Sequence, residues 1–375
     1  MDQKKIRILG ACLALIVWAG LTAFAWFGPR ADFSYTERAN LTQAPEITSD
    51  AILDGSFMEQ FTEFTLDQFP LRDSFRSLKA VFHLYGLWQS DNNGLFTQDG
   101  YLEKMDNVLS QDGVDRSAQV FNRFYQNFVQ GKTEAVYFTI IPAKGYYMDG
   151  PKLDLAALEG ALLPQMEWAQ YVDIKGSLTL EDYYYTDTHW RQERIYAVAD
   201  ELLTAMGGGA EASFTPQALD RPFYGVYYGQ AALPVEPETM YVMESEALTG
   251  CTVTGYQKGP TMPQALSFYD LAGVETAADP YNVFLHGSQQ TFVVIENPNA
   301  ATDKELVLLR DSFGCSLIPL LVEDYAKITV IDLRSVGTMT LKAMEANGLL
   351  NLQDADVLFA YSAMVINNPD SFQAG

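Results

Sequence analysis

Between residues 305 and 361 the chain alternates two kinds of segment. Glu305 to Arg310 is a short apolar run that fits a buried strand, and Ser316 to Tyr325 reads as a helix. Lys327 to Leu333 is strand-like again, and Thr338 to Asn347 is helical and closed by Gly348. Val357 to Tyr361 is a last strand. This order leaves few folds open. Parallel strands need long crossovers, the crossovers are right-handed, and strands covered on both faces lose their polar alternation. An α/β fold with a doubly wound parallel sheet is predicted. Earlier in the chain, Asp115 to Gln130 places Val120, Phe121, Phe124, Phe128 and Val129 on one helical face, with Gly131 as a stop. Ala135 to Ile141 is a further strand, ended by Pro142.

The N-terminus constrains location. Lys4, Lys5 and Arg7 precede the uncharged stretch Ile8 to Phe27. As a helix, about 20 residues span about 30 Å, the thickness of a bilayer's hydrocarbon. The leading positive charges favour a cytoplasmic N-terminus and place everything beyond Arg30 outside the cytoplasm. Ala23-Phe24-Ala25 also resembles a signal-peptide cleavage site, but the apolar run is long for one, which favours a retained anchor. Cys12 follows Leu9-Gly10-Ala11 like a lipidation box, yet the apolar run continues past it. The expected organisation is a cytoplasmic tip and anchor over 1–30, a tether over 31–55 and one α/β domain over 56–375. An irregular or β insertion at about 207–280, opened by Gly207-Gly208-Gly209, interrupts that domain as a lid or a face for a long substrate.

Composition removes whole classes of function. With 48 acidic and 24 basic residues the net charge is −24. Nucleic-acid binding needs clustered Lys and Arg, so it is excluded as a main role. Three cysteines and three histidines cannot build a zinc-finger array, and no metal or cofactor is expected. Beyond Arg30, 20 basic residues face 47 acidic ones, so the exported part carries −27. Cys251 and Cys315 read as small buried hydrophobes in preference to a disulfide.

Two constellations can carry chemistry. In Tyr185-Thr186-Asp187-Thr188-His189-Trp190, residues 187 and 189 share a face if the segment is extended. Ile195, Val198, Ala199, Leu202 and Leu203 then mark a helix, which Thr188 or Asp187 would cap. Its positive end would keep His189 neutral, while Asp187 would stabilise the imidazolium once formed. For an isolated D-x-H the plainer reading, a cap beside a surface histidine, would prevail. The second constellation is Leu309-Arg310-Asp311-Ser312-Phe313-Gly314, where a strand runs into a turn bearing Ser312. With Pro319 in the first turn of a helix starting at Ser316, residues 312–315 form a non-helical elbow at the carboxyl edge of the sheet. The competing reading is a simple helix cap. Taken together, Ser312, His189 and Asp187 are the parts of a nucleophilic triad. His286 is the rival base and has no carboxylate beside it in sequence; His83 reads as a partly buried helix residue.

These residues resemble the DHHW proteins, relatives of the periplasmic alginate O-acetyltransferases in the SGNH-hydrolase-like superfamily. The resemblance covers most of the chain. It runs through Phe33-Ser34, Glu37-Arg38, Leu41 and Pro45, then Gly55-Ser56-Phe57 and Asp67-Gln68-Phe69-Pro70-Leu71-Arg72-Asp73. It continues through Pro142-Ala143-Lys144, Asp187-Thr188-His189-Trp190, Arg310-Asp311-Ser312-Phe313, Asp332-Leu333-Arg334 and Val357-Leu358-Phe359-Ala360-Tyr361. Thr188 stands where the DHHW form has its first histidine, as in the alginate enzymes. Ser362 replaces the usual Asn after Tyr361, and His286-Gly287 replaces a Gly-Gly pair. The resemblance implies Ser312 as nucleophile, His189 as general base and Asp187 as its orienting acid. It also implies an SGNH-like sheet in circularly permuted order, because His189 precedes Ser312. Arg334, Tyr361, Lys144 and Gly287 are expected substrate contacts.

The implied function is an O-acetyltransferase on an extracytoplasmic polysaccharide, working through an acetyl-serine. A membrane-bound O-acyltransferase is the implied acetyl supplier. A carbohydrate esterase uses the same triad with water as acceptor. A non-catalytic polysaccharide-binding protein of the cell envelope is the third reading, with Tyr224, Tyr227 and Tyr228 able to stack on sugars or simply to pack. The charge of the exported part favours a neutral or cationic glycan over a polyanion.

Overall fold

The computed structural model describes residues 3–209, 213–257, 259–287 and 289–372. The chain forms two compact units, one of Met1–Asn93 with Tyr228–Val235, the other of Gly94–Tyr227 with Glu236–Gly375. The division thus falls after Asn93 and not at residue 55, because the segment following the tether folds into helices of its own. In the first unit, α1 (Gln3–Phe27) has no buried residue, and α2 (Ser56–Asp67) and α3 (Arg72–Val81) follow. A π-helical turn, Phe82–Gly86, extends α3. Arg72 pairs with Glu37 and Asp67, and Arg76 with Glu37 at 2.8 Å.

The second unit is built on eight strands: β1 (Val136–Ile141), β2 (Gln170–Tyr171), β3 (Thr252–Gly255), β4 (Gln264–Leu266), β5 (Phe292–Glu296), β6 (Glu305–Arg310), β7 (Lys327–Ile331) and β8 (Asp356–Ser362). Their order across the sheet is β4-β3-β5-β7-β6-β8-β1-β2. From β7 to β2 all pairs are parallel, as expected. The other edge is an antiparallel meander of β5, β3 and β4, so the sheet is mixed. Two of those strands come from the 207–280 excursion, which therefore completes the sheet.

Both faces are covered. Leu306 and Leu308 of β6 enter one core with Val198, Leu202 and Ile318, whereas Val307 and Leu309 enter the other with Phe121, Leu158 and Leu341. This two-residue alternation between two apolar layers is why β6 reads as one continuous apolar run. α4 (Gln111–Phe124), α5 (Leu155–Leu162), α8 (Thr338–Ala346) and α9 (Ala363–Asn367) line the second layer; α6 (Tyr196–Ala205) and α7 (Phe313–Leu317) line the first. The helices after β6 and β8 thus lie on opposite faces. At such a switch point the carboxyl ends of adjacent strands open a crevice, and Ser312 stands there.

Two expected boundaries shift. α7 begins at Phe313, directly after Ser312, so there is no non-helical elbow over 312–315. Pro319 instead marks the change to a 3-10 turn, Ile318–Asp324, in whose first positions its missing N–H is not required. α6 begins at Tyr196 behind a 3-10 turn, Gln192–Arg194, so neither Asp187 nor Thr188 caps it. Trp190 and Gln192 are buried first: Trp190 donates to Ser316 Oγ at 2.9 Å and Gln192 to the Ser316 carbonyl at 2.8 Å. The helix-end argument for a neutral His189 falls with that cap.

Candidate active site

Residues 184–189 form a tight loop, closed by the bridge between Tyr183 and Trp190 and by the Tyr184 N–H donating to the His189 carbonyl at 3.1 Å. The loop presents His189 to the carboxyl end of β6. His189 Nδ1 lies 2.6 Å from Asp187 Oδ1, and Nε2 lies 2.8 Å from Ser312 Oγ. The structure therefore brings Ser312, His189 and Asp187 into one line. With Nδ1–H given to Asp187, Nε2 is free to accept the serine proton, which is the arrangement a nucleophilic hydroxyl requires. The Asp187 and His189 side chains are 2% and 10% exposed, so this pairing is shielded from water competition.

Several groups fix the imidazole. Tyr281 stacks on it, ring centroids 3.8 Å apart and planes 9° from parallel, and Phe313 packs on it at 4.7 Å. The Tyr281 hydroxyl meets Ser316 Oγ at 2.9 Å, where Trp190 also donates. Ser316 in turn gives its own proton to the Phe313 carbonyl at 3.2 Å. The carboxylate is held equally well: Asp187 Oδ1 accepts the His189 N–H at 3.1 Å, and Oδ2 the Val226 N–H at 2.9 Å. Gly225 makes that approach possible, since a Cβ there would stand 2.3 Å from the Thr186 carbonyl oxygen. Glu238 accepts the N–H groups of Tyr185 (2.9 Å) and Thr186 (3.0 Å), and pairs with Arg191 at 2.6 Å. At the nucleophile end, Asp311 accepts from the Phe313 N–H (3.0 Å) and the Ser362 N–H (2.7 Å), joining the ends of β6 and β8.

Sequence reasoning missed Glu238, Gly225, Tyr281 and Ser316. Their contacts span dozens of residues or more, and no local pattern announces them.

The expected substrate contacts fare differently. Lys144 and Tyr361 are wholly buried, which corrects the expectation that they face a ligand. Lys144 Nζ donates to the carbonyls of Tyr184 (2.9 Å), Tyr185 (3.1 Å) and Asp187 (2.5 Å), so it grips the histidine loop from beneath. Burial lowers its pKa to about 8, against the pull of Glu103, Asp187 and Glu238. Burial likewise raises the carboxyl pKa of Glu103. The Tyr361 hydroxyl accepts the Leu333 N–H at 3.4 Å, and its ring packs on Phe121. Tyr227, offered as a sugar-stacking ring, is also buried, with its hydroxyl on Glu103 at 3.2 Å. Arg334 gives Nε and Nη2 to Asp332 at 2.9 and 2.7 Å and stays 22% exposed. Gly287 has φ +77° beside Asn282, whose Oδ1 would be 2.1 Å from a Cβ; its need for glycine is conformational. Ser288 lies outside the described residues. His286 does meet a carboxylate, Asp270, at 3.5 Å, but Ser267, its nearest hydroxyl, donates to the Tyr269 carbonyl. Cys251 and Cys315 are unpaired. Among the described residues no cluster of metal-ligating side chains occurs.

No protein-family model matches the chain, and no curated protein does. Among solved structures, a DHHW family protein from Eubacterium siraeum matches with a TM-score of 0.60 and 19% identity, over 76% of this chain and 96% of that one. PatB1 of Bacillus cereus matches with a TM-score of 0.56 and 19% identity, over 75% and 99%. A form of PatB1 carrying a sulfonyl adduct matches with the same TM-score at 18% identity. The O-acetyltransferase domain of Pseudomonas putida AlgJ matches at 13% identity over 73% of this chain, with a TM-score of 0.39. The DHHW relationship read from the motifs is thus met by a shared fold.

Proposed function

We propose that the chain is an O-acetyltransferase acting on an extracytoplasmic polysaccharide. One observation supports this above all: His189 bridges Asp187 and Ser312 at 2.6 and 2.8 Å at the carboxyl edge of the sheet. Ser312 Oγ attacks the acetyl carbonyl as His189 Nε2 takes its proton. The donor's leaving group departs with that proton, and an acetyl-serine remains. A sugar hydroxyl then attacks the ester and gives its proton to His189, which passes it to Ser312 Oγ as the acyl–serine bond breaks, so the sugar leaves acetylated and Ser312 is restored. Asp187 holds the tautomer and stabilises the imidazolium in both steps. Arg334, the expected contact that keeps some exposure, is retained as a substrate contact after β7. α1, with a mean hydropathy of 2.2 in its most apolar window, would hold the protein at the membrane with the catalytic domain outside. A membrane-bound O-acyltransferase would supply the acetyl group there.

The test is covalent. After incubation with an activated acetyl ester, the peptide bearing Ser312 gains an acetyl mass, and Ser312→Ala does not. The proposal fails if wild type shows no adduct under conditions that label PatB1. Acetate release with and without neutral sugar oligomers then separates transfer from hydrolysis by water.

A further inference from the structure

α3 and its π-helical extension wear their apolar side outward. Leu71, Phe75, Leu78, Phe82 and Tyr85 recur every three or four residues, the spacing of one helical stripe, and each is between 46% and 68% exposed. Trp88, just beyond, is more exposed still. Ala80 and Leu84, on the other side, are buried, and Arg72 and Arg76 turn to Glu37 and Asp67 within the unit. A solvated helix does the reverse, so this face is shaped for a non-aqueous neighbour.

The same unit says which neighbour. Gln68, just before α3, donates to the Ala31 carbonyl at 2.9 Å and accepts the Ala31 N–H at 3.2 Å, four residues past the end of α1. Phe24, in the last turn of α1, and Leu71, at the head of the stripe, line one cleft of about 460 Å³. Trp26 packs on Phe61 of α2 at 5.9 Å. The stripe therefore starts where α1 ends, at the depth of the lipid headgroups if α1 spans a bilayer. We propose that α3 lies in the outer face of that bilayer, inserting Leu71, Phe75, Leu78, Phe82, Tyr85 and Trp88 among the lipids. The inference rests on the membrane reading of α1. Leu71 to Tyr85 would lie along the interface for about 20 Å, with Tyr85 and Trp88 at the depth aromatic rings prefer. Arg72 and Arg76 are taken up by internal carboxylates and only Lys79, on Asn93 at 3.1 Å, lacks one, so attachment is chiefly apolar and depends little on lipid charge.

The test uses the full chain in nanodiscs whose lipids carry a nitroxide either near the headgroup, to read positions 73, 78 and 82, or deep in the acyl chains, to read position 19. Cys12 and Cys251 are replaced by Ala, and a bimane is placed at Leu78→Cys, Phe82→Cys, Asp73→Cys or Ala19→Cys. Asp73 lies on the opposite side of α3, and Ala19 lies within α1. Probes at 78 and 82 should lose about half their emission, as groups about 5–10 Å into the headgroup and acyl boundary do, while the probe at 73 loses little. The quenching should be the same in phosphatidylcholine alone and with phosphatidylglycerol added. If Ala19 is quenched by deep nitroxides and positions 78 and 82 are not, this inference alone fails. If Ala19 is not quenched by deep nitroxides, the membrane reading fails and the inference with it. Shielding of 78 and 82 that depends on protein concentration would assign the stripe to a second copy and overturn the proposal.

Discussion

Lys144→Met tests whether the histidine loop is held from below. Methionine matches the length of the buried stem but supplies no donor, so the carbonyls of Tyr184, Tyr185 and Asp187 lose the ammonium, and Tyr185 keeps the Leu102 N–H at 2.8 Å. An orphaned buried group costs about 1–3 kcal/mol, and removing one member of a buried charge pair about 3–5 kcal/mol. Two effects offset these: an ammonium no longer has to be dehydrated, and Glu103, already biased toward its neutral form by burial, takes up a proton. We expect a stability loss of about 3 kcal/mol in urea unfolding. The loop carries both Asp187 and His189, and a displacement of about 1 Å at reacting atoms costs roughly 100-fold in rate. Hydrolysis of an activated aryl acetate should therefore lose kcat by that order while KM stays near its wild-type value. The double variant Lys144→Met/Glu103→Gln removes the buried acid as well. It should regain part of the stability and none of the kcat. If kcat returned together with stability, the lysine would be only a counter-charge. A single variant with wild-type kcat would refute the grip altogether.

Five further outcomes are expected. The Lys144 value of about 8 lies below its ordinary 10.5, so between these values the unfolded chain binds more protons. This group's contribution to stability therefore rises as pH increases from about 8 to 10.5 and is lost as pH falls through 8; the stability difference between wild type and Lys144→Met should shift with pH in that window. Turnover should fall over the same rise, because a neutral amine has only two N–H groups for three carbonyls, and a flat wild-type profile would count against it. Asp187→Asn should cut kcat by roughly 10⁴-fold, since the amide cannot hold the tautomer, with substrate affinity unchanged in the same assay. Gly225→Ala should destabilise by about 1–3 kcal/mol by pushing a methyl group into the Thr186 carbonyl, read as a lowered urea midpoint. Tyr281→Leu should leave the adduct on Ser312 detectable but slow its formation, because the imidazole loses its stacked wall.

What the sequence disclosed followed the range of the forces involved. β6 was legible to the residue because its apolar run is set by two flanking cores, and Asp187, His189 and Ser312 because short spacing or a strand–helix junction marks them. The start of α7 differs from the expected one because Pro319 signals the end of α-helical bonding as readily as its beginning. The cap assigned to α6 failed because long-range burial of Trp190 and Gln192 outweighs the local capping preference of Asp and Thr. Lys144 stands in a legible motif, Pro142-Ala143-Lys144, but the motif does not say which way its side chain faces. Only the three loop carbonyls converging on its ammonium show that it faces inward.

The meeting of His189 and Ser312 also bears on when reactivity is born. They stand 123 positions apart along the chain, and the loop that presents the imidazole is pinned by Val226 and Glu238 on one side and Ser316 on the other. Closing so long a loop costs entropy that only the assembled sheet and its neighbours can offset, which places this contact late in folding. Until then Ser312 is an alcohol like any other. If the proposed location and function hold, a chain threaded unfolded across a membrane carries no activated hydroxyl, and the proposed acyl chemistry is confined to finished molecules on the side where they fold.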